Sequence, residues 1–200
     1  MKTLKIGVLG FHGDVIEHIQ ALKTASENLK VKVNVTEVRT KEGLIGLSGL
    51  IIPGGESTTI YKLCQREGMF EEMKKIPAIF GTCAGAILLA KEVLHKSSGQ
   101  ETLELIDIKI DRNAYGRQTD SFEESLQTKL GIINAVYIRA PKIVKVGKNV
   151  QVIASKGKEI LACEQIVKKN YYLAVCFHPE LTTSLFHEYF LRRSASVING

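Results

Sequence analysis

The chain has 200 residues, a length that suits one domain with a substantial buried core. Its hydrophobic fraction of 44% and charged fraction of 24% are ordinary for a soluble globular protein, and they argue against a disordered chain. The formal net charge is +6, yet the basic residues are scattered and have no interleaved aromatic residues. A solvated surface accounts for this charge better than a nucleic-acid site does, although a docking face for an acidic partner stays open.

No two of the four cysteines have the Cys-x-x-Cys spacing that is typical of a metal or redox site. The N-terminus has no long apolar signal segment, and no apolar run approaches the ~18 residues of a membrane span. We therefore expect free thiols, a cytoplasmic protein and no association with a membrane.

The first quarter of the chain alternates between strand and helix patterns. Asp14 is the expected N-cap of a helix whose apolar residues, Ile16, Ile19, Leu22 and Ala25, recur at helical spacing. The predicted elements are strands at 5–9, 31–38 and 49–52 and helices at 15–25 and 40–47. This rhythm predicts a parallel sheet with helices on both faces.

The rest of the chain adds short alternating segments that predict an antiparallel or mixed extension of the sheet. We predict helices at 58–66, 69–75 and 183–193, and strands at 78–80, 103–110, 132–138, 143–146, 151–154, 159–164 and 171–177. The predicted fold class is α/β, with a mixed, mainly parallel central sheet flanked by helices. Residues 1–193 are expected to form a single domain, and residues 194–200 a frayed tail.

Cys83 lies in a segment typical of a nucleophile elbow. A short apolar run leads into Gly81-Thr82-Cys83-Ala84-Gly85, and an apolar segment of good helix formers follows. The glycines relieve crowding in a strained turn, and the start of a helix favours a thiolate and an oxyanion. The alternative is a buried structural thiol, which is common for a free cysteine.

A second segment favours the catalytic interpretation. The apolar stretch that ends at Phe177 is followed by His178, Pro179 and Glu180. A nucleophile, a histidine base and a carboxylate that orients the base are the parts of a catalytic triad. Cys83, His178 and Glu180 are therefore the candidate catalytic residues.

These two segments together resemble the class I, or triad, glutamine amidotransferases. Further motifs narrow the resemblance to the glutaminase subunits of pyridoxal 5′-phosphate synthase. They are Pro53-Gly54-Gly55-Glu56-Ser57-Thr58-Thr59, Arg112-Asn113-Ala114-Tyr115-Gly116-Arg117-Gln118, Asp120-Ser121-Phe122 and Ile138-Arg139-Ala140-Pro141. The motifs extend from about residue 5 to residue 190, so the resemblance covers nearly the whole chain.

The resemblance implies hydrolysis of L-glutamine to L-glutamate and ammonia through a thioester on Cys83. It implies a pocket for L-glutamine formed by Gly55, Glu56, Ser57, Arg112, Ile138 and Arg139. Arg112 would grip the α-carboxylate of glutamine, and the backbone N–H groups of Gly55 and Ala84 would form the oxyanion hole. The ammonia would pass to a synthase subunit in a hetero-oligomer, and no metal or organic cofactor is expected.

His12 departs from the family, which usually has Gln at this position of the first loop. In the family this loop helps to complete the oxyanion hole and responds to the partner. His12 is therefore either an oxyanion-hole donor or an exposed loop residue, and both readings stay open. Arg117 is interpreted as structural or as facing the partner.

Three rival functions stay open beside this one. The first is a triad glutaminase that supplies a different synthase, against which the motifs at 116–122 and 138–141 argue. The second is a cysteine hydrolase that needs no partner. The third is a binding or regulatory subunit without activity. The complete set of Cys83, His178 and Glu180 argues against it, but His12 keeps it open.

Overall fold

The computed structural model describes residues 3–113 and 121–199. The helices are α1 (Val15–Leu29), α2 (Ser57–Arg66), α3 (Phe70–Met73), α4 (Ala84–Leu89) and α5 (Leu185–Asn199). The strands are β1 (Leu4–Leu9), β2 (Val33–Val38), β3 (Gly49–Ile52), β4 (Ala78–Thr82), β5 (Ala90–Leu94), β6 (Ile106–Asp111), β7 (Phe122–Thr128), β8 (Gly131–Tyr137), β9 (Lys142–Val146), β10 (Gln151–Lys156), β11 (Glu159–Val167) and β12 (Asn170–Val175).

The strands form one mixed sheet in the order β2-β1-β3-β4-β12-β11-β10-β7-β8. The pairs from β2 to β12 in this order are all parallel. From β12 onward the pairs are antiparallel, and β5, β6 and β9 form a branch that joins the sheet at β11. The prediction of a mixed α/β sheet with a parallel portion and an antiparallel extension is confirmed.

Two hydrophobic cores lie on the two faces of the sheet, because side chains of a strand alternate between faces. In β4, Ala78 and Phe80 face the core that contains residues of α1 and α5. Ile79 faces the opposite core, which contains residues of α2, α3 and α4. Helices therefore cover both faces of the parallel portion, and only the ends of its strands are left for a binding site.

The buried face of α1 differs from the predicted one. Leu22 and Ala25 are buried as expected, but Ile16 is 65% exposed, and His18 is buried in its place. His18, Leu22 and Ala25 have helical spacing, so the inner face of α1 carries a histidine where the apolar pattern predicts an isoleucine.

Several predicted boundaries are wrong. The helix expected at 40–47 is only a short 3-10 turn, Glu42–Leu44, and the strands β5 and β7 were not predicted. The last helix continues to Asn199, whereas the predicted helix ends at residue 193; the frayed tail expected at 194–200 stays a prediction. Ser194 is buried and its hydroxyl donates to the Phe190 carbonyl, which ties the end of α5 to the preceding turn. The single-domain boundary at residue 193 stays a prediction.

Candidate active site

The elbow at Cys83 has the strained geometry that its sequence predicts. Cys83 follows β4 directly, occupies the N-cap of α4, and has φ 48° and ψ −103°, a conformation that side-chain-bearing residues rarely adopt. A Cβ at Gly81 would clash with the backbone of Gly85, and a Cβ at Gly85 would clash with the Ile52 carbonyl. The two glycines are therefore required by the close packing of the elbow against β3 and β4.

The histidine and the glutamate are placed by the end of β12. The His178 amide donates to the Val136 carbonyl at 2.9 Å, which fixes the backbone at this point. A 3-10 turn, Pro179–Leu181, then brings Glu180 back, so that its Oε1 lies 2.9 Å from His178 Nδ1. Both side chains are buried. The sequence-predicted base and orienting carboxylate thus lie together as the triad requires.

Asp14 is a site residue that the sequence analysis missed. Its Oδ2 lies 3.0 Å from His178 Nδ1, which is an ion-pair distance, and its side chain is 33% exposed. The residue occupies the N-cap of α1, as predicted, but its side chain makes no capping hydrogen bond. Its carboxylate faces the histidine instead, so a second carboxylate joins the predicted triad.

The charges around His178 favour its protonated form. Burial lowers the affinity of the ring for a proton, but Asp14, Cys83 and Glu180 outweigh burial and raise the pKa of His178 to about 12. The contact with His178 is the chief reason why the pKa of Asp14 is lowered. Burial raises the pKa of Glu180, although His178 acts in the opposite direction. The imidazolium is thus stabilised by two carboxylates.

Two buried histidines lie behind the triad. His18 Nδ1 is 2.9 Å from His187 Nε2, and His18 Nε2 is 3.1 Å from Thr82 Oγ1 and 3.4 Å from Glu180 Oε1. Burial lowers the pKa of both histidines, that of His187 to about 3, so both are neutral. A neutral His18 that carries its proton on Nε2 faces the carboxylate with a donor, whereas the other tautomer would face it with a lone pair.

A cavity of about 640 Å³ opens at the ends of the parallel strands. Its lining brings together Cys83 and His178 with seven residues named from the sequence or its family resemblance: His12, Gly55, Glu56, Ser57, Arg112, Ile138 and Arg139. The cavity is large enough for an amino-acid substrate. Ala84 is not among the lining residues, but it is the first residue of α4, where the backbone N–H has no partner within the helix.

One wall of the cavity is a paired glutamate and arginine. Glu56 caps α2 by accepting from the Thr58 and Thr59 amides at 3.1 and 2.7 Å. The Arg112 guanidinium forms a close ion pair with Glu56 and also donates to Thr58 Oγ1 at 3.1 Å. Both charged groups are thus held at the cavity before any ligand enters. Buried Ser57 lies beside them, and its hydroxyl has no partner among the described residues.

Ile138 and Arg139 also line the cavity. The Cys83 thiol donates a weak hydrogen bond to the Ile138 carbonyl oxygen, which lies 3.9 Å from Sγ. Arg139 has φ 48° and is exposed, so its unusual backbone turns the chain at the rim of the cavity. The neighbouring motif residues from 114 to 120, Arg117 included, lie outside the described residues.

The loop at residues 10–14 closes the cavity from the side of β1. A Cβ at Gly55, whose φ is 110°, would clash with the His12 ring, and a Cβ at Gly13 would clash with the Gly54 carbonyl. Gly54 in turn packs against the His178 ring so closely that it also has no room for a side chain. The first loop, the glycine turn and the base are therefore in direct contact.

Comparison with known proteins identifies the family. The profile of the SNO glutamine amidotransferase family matches residues 8–196. The chain belongs to this family. A solved crystal structure of a glutamine amidotransferase superposes with a TM-score of 0.80 at 42% identity, covering 95% of this chain and 98% of that one.

Two similar relatives of this glutamine amidotransferase are both described as pyridoxal 5′-phosphate synthase subunit PdxT. The one from Thermococcus onnurineus is 46% identical and covers 96% of this chain and 99% of its own. The one from Korarchaeum cryptofilum is 47% identical and covers 94% and 98%. The resemblance drawn from the sequence motifs is thus confirmed, and the chain is an enzyme of the glutaminase type.

The described residues of this amidotransferase contain one cluster dense enough to hold a metal ion. Asp14, His178 and Glu180 offer ligand atoms that all lie within 4.8 Å of one another. Their mutual ion pairs and hydrogen bond account for this spacing without a metal. In the described part of the chain, no helix is both long and apolar enough to cross a bilayer.

Proposed function

We propose that this chain hydrolyses L-glutamine with Cys83 as nucleophile, His178 as base and acid, and Glu180 as the carboxylate that orients the histidine. The observation that carries the proposal is the position of Cys83. It alone among the four cysteines lines the cavity, at a strained elbow that shares the cavity with His178. Burial raises the pKa of Cys64 and Cys163 to about 12 and that of Cys176 well above its ordinary value, so these thiols stay protonated.

The reaction follows from this arrangement. The Cys83 sulfur attacks the side-chain amide carbon of glutamine, and the tetrahedral oxyanion is stabilised by the N–H groups of Gly55 and Ala84. His178 passes the proton taken from the thiol to the amide nitrogen, ammonia leaves, and a γ-glutamyl thioester remains. Water then attacks the thioester while His178 takes its proton, and glutamate and the free thiol are released.

The substrate head group fits the paired wall of the cavity. Glutamine brings one ammonium and one carboxylate on its α-carbon. The ammonium would bind Glu56 while the carboxylate binds Arg112, so that two ion pairs replace the single one between the side chains. Ser57 supplies a free hydroxyl at the same wall, and Ile138 and Arg139 also line the cavity.

The acceptor of the ammonia is a separate synthase subunit, which is consistent with the description of the relatives as subunits of pyridoxal 5′-phosphate synthase. The loop at 10–14 would be ordered in its active form when the synthase docks, and His12 would then complete the oxyanion hole above Gly55. The clash between a Gly55 side chain and His12 supports this, because it shows the ring lying directly against the proposed donor. The free thiols fit a reducing, cytoplasmic setting.

The test of the nucleophile combines a variant with chemical labelling. Cys83→Ala should abolish glutamine hydrolysis while its circular dichroism spectrum stays that of the wild type. An electrophilic glutamine analogue should label one thiol, identified by peptide mass spectrometry as Cys83. Cys163→Ala is the matched control and should keep both activity and labelling. An active Cys83→Ala variant, or labels distributed over all four thiols, would contradict the assignment.

A further inference from the structure

The carboxylate of Asp14 does not make the capping hydrogen bond that its position at the start of α1 would allow. At an N-cap, an aspartate side chain ordinarily accepts a hydrogen bond from a backbone N–H of the first helical turn. Here no capping hydrogen bond forms, and Oδ2 lies 3.0 Å from His178 Nδ1. His178 Nδ1 already has a hydrogen-bond partner in Glu180 Oε1 at 2.9 Å, so Asp14 is not needed to satisfy this nitrogen.

The contact between Asp14 and His178 joins the first loop to the end of β12, which are far apart in the sequence. Asp14 ends the loop whose Gly13 packs against Gly54, and Gly54 packs against the ring of His178. The loop therefore meets the base at two points, through the glycines and through the carboxylate. Movement of residues 10–14 would alter the charge beside the imidazole as well as the shape of the cavity.

We propose that Asp14 is a positioning residue of this active site, a second acidic partner of His178 that couples the loop at 10–14 to the proton chemistry of the triad. The proposal rests on the function proposed above, since it takes His178 to be the base. Asp14 also lines the cavity, and the side-chain contact that places it in the site is the one with the imidazole of His178. It acts through the imidazole, by stabilising the cation that forms when the thiol loses its proton.

The other groups around His178 do not replace this charge. Glu180 faces Nδ1 from the 3-10 turn, Cys83 faces the ring from the elbow, and His18 approaches from α1. His18 is neutral, because burial lowers its pKa well below the ordinary value. His12 contributes to the lowered pKa of Asp14, although less than His178 does. Of the described residues, only Asp14 and Glu180 bring a carboxylate to the ring.

The test uses Asp14→Asn in the full chain, because Asn caps a helix as well as Asp does and has nearly the same shape. The measurement is the titration of the His178 imidazole by NMR, with its signal assigned from a His178→Asn variant. Removal of an adjacent carboxylate should lower the pKa of His178 by about one unit or more. Asp14→Glu, which keeps the charge, should restore much of the wild-type value.

Glu17→Gln is the matched control, since Glu17 is an acidic residue in the first turn of the same helix and makes no hydrogen bond or ion pair with Cys83, His178 or Glu180. It should leave the titration of His178 unchanged. The rate of alkylation of Cys83 by iodoacetamide at neutral pH should fall in Asp14→Asn and stay unchanged in Glu17→Gln. The reason is that a weaker base leaves more of the thiol protonated.

Equal His178 titrations in wild type and Asp14→Asn would overturn the proposal and leave Asp14 as an ordinary helix residue. These readouts need neither glutamine nor a partner, so they fail independently of the proposed function. A chain that shows the titration shift but does not hydrolyse glutamine would keep the role of Asp14 beside His178 and refute the glutaminase mechanism.

Discussion

Acid should destabilise this protein through His187, and the size of the effect follows from its burial. His187 is fully buried and its pKa is lowered from 6.5 to about 3, while in the unfolded chain it titrates near its ordinary value. Below pH 6.5 the unfolded state binds a proton that the folded state does not, so the free energy of unfolding falls as the pH falls. Each pH unit is worth about 1.4 kcal/mol per such group, so acidification to about pH 5 costs about 2 kcal/mol through His187 alone.

The assay is urea denaturation of the wild type and of His187→Phe between about pH 5 and pH 7.5. The replacement leaves His18 without its partner, which costs about 1–3 kcal/mol at every pH. It should nevertheless remove about 2 kcal/mol of the acid-induced loss of stability. Identical slopes for wild type and His187→Phe between about pH 6.5 and 5 would refute the argument.

The same linkage has the opposite sign for His178. Its folded pKa is raised above the unfolded value, so its contribution is fully present below pH 6.5 and is lost as the pH rises toward about 12. The free energy of unfolding is therefore highest near neutral pH, because His187 lowers it in acid and His178 lowers it in alkali. The His187→Phe variant should change the acid side of this curve and leave the alkaline side alone.

Two further predictions concern catalysis. His178→Asn should reduce glutamine hydrolysis far more than Glu180→Gln, since the loss of a single triad residue costs from about ten-thousand-fold to a million-fold. The loss in Glu180→Gln should be the smaller one, because Asp14 still faces the His178 ring when Glu180 is replaced by a neutral residue. Equal and mild losses in both variants would show that a different residue is the base. Wild type alone should hydrolyse glutamine hundreds-fold more slowly than wild type with its synthase subunit, because one missing oxyanion donor costs about 100- to 1,000-fold. His12→Gln should remain responsive to the synthase, and full wild-type activity without it would favour a partner-independent hydrolase.

The parts of the site that the sequence predicts are those encoded within short segments. The elbow is one such part, because Gly81, Cys83 and Gly85 are fixed by packing within a single turn. His178 and Glu180 are another, since two residues and a 3-10 turn determine their contact. In motifs of this kind, the local sequence is enough to determine the geometry.

The parts that escaped prediction depend on contacts between distant segments. Asp14 has the local pattern of an N-cap, and nothing near it in the sequence shows that His178 would compete for its carboxylate. His18 has no local signal for its burial against His187, which lies on α5. The strands β5 and β7 were missed because many of their residues are polar and exposed, so the sequence shows little apolar alternation.

The position of β12 in the middle of the sheet affects when the site can form during synthesis of the chain. This strand pairs with β4 on one side and with β11 on the other, so it joins the parallel and antiparallel portions of the sheet although it is the last strand of the chain. The nascent chain thus carries Cys83 long before the ribosome reaches His178. Long-range pairing of this kind is slow relative to local folding. A nascent chain that ends before His178 therefore has the proposed nucleophile but not the proposed base, so we expect it not to hydrolyse glutamine.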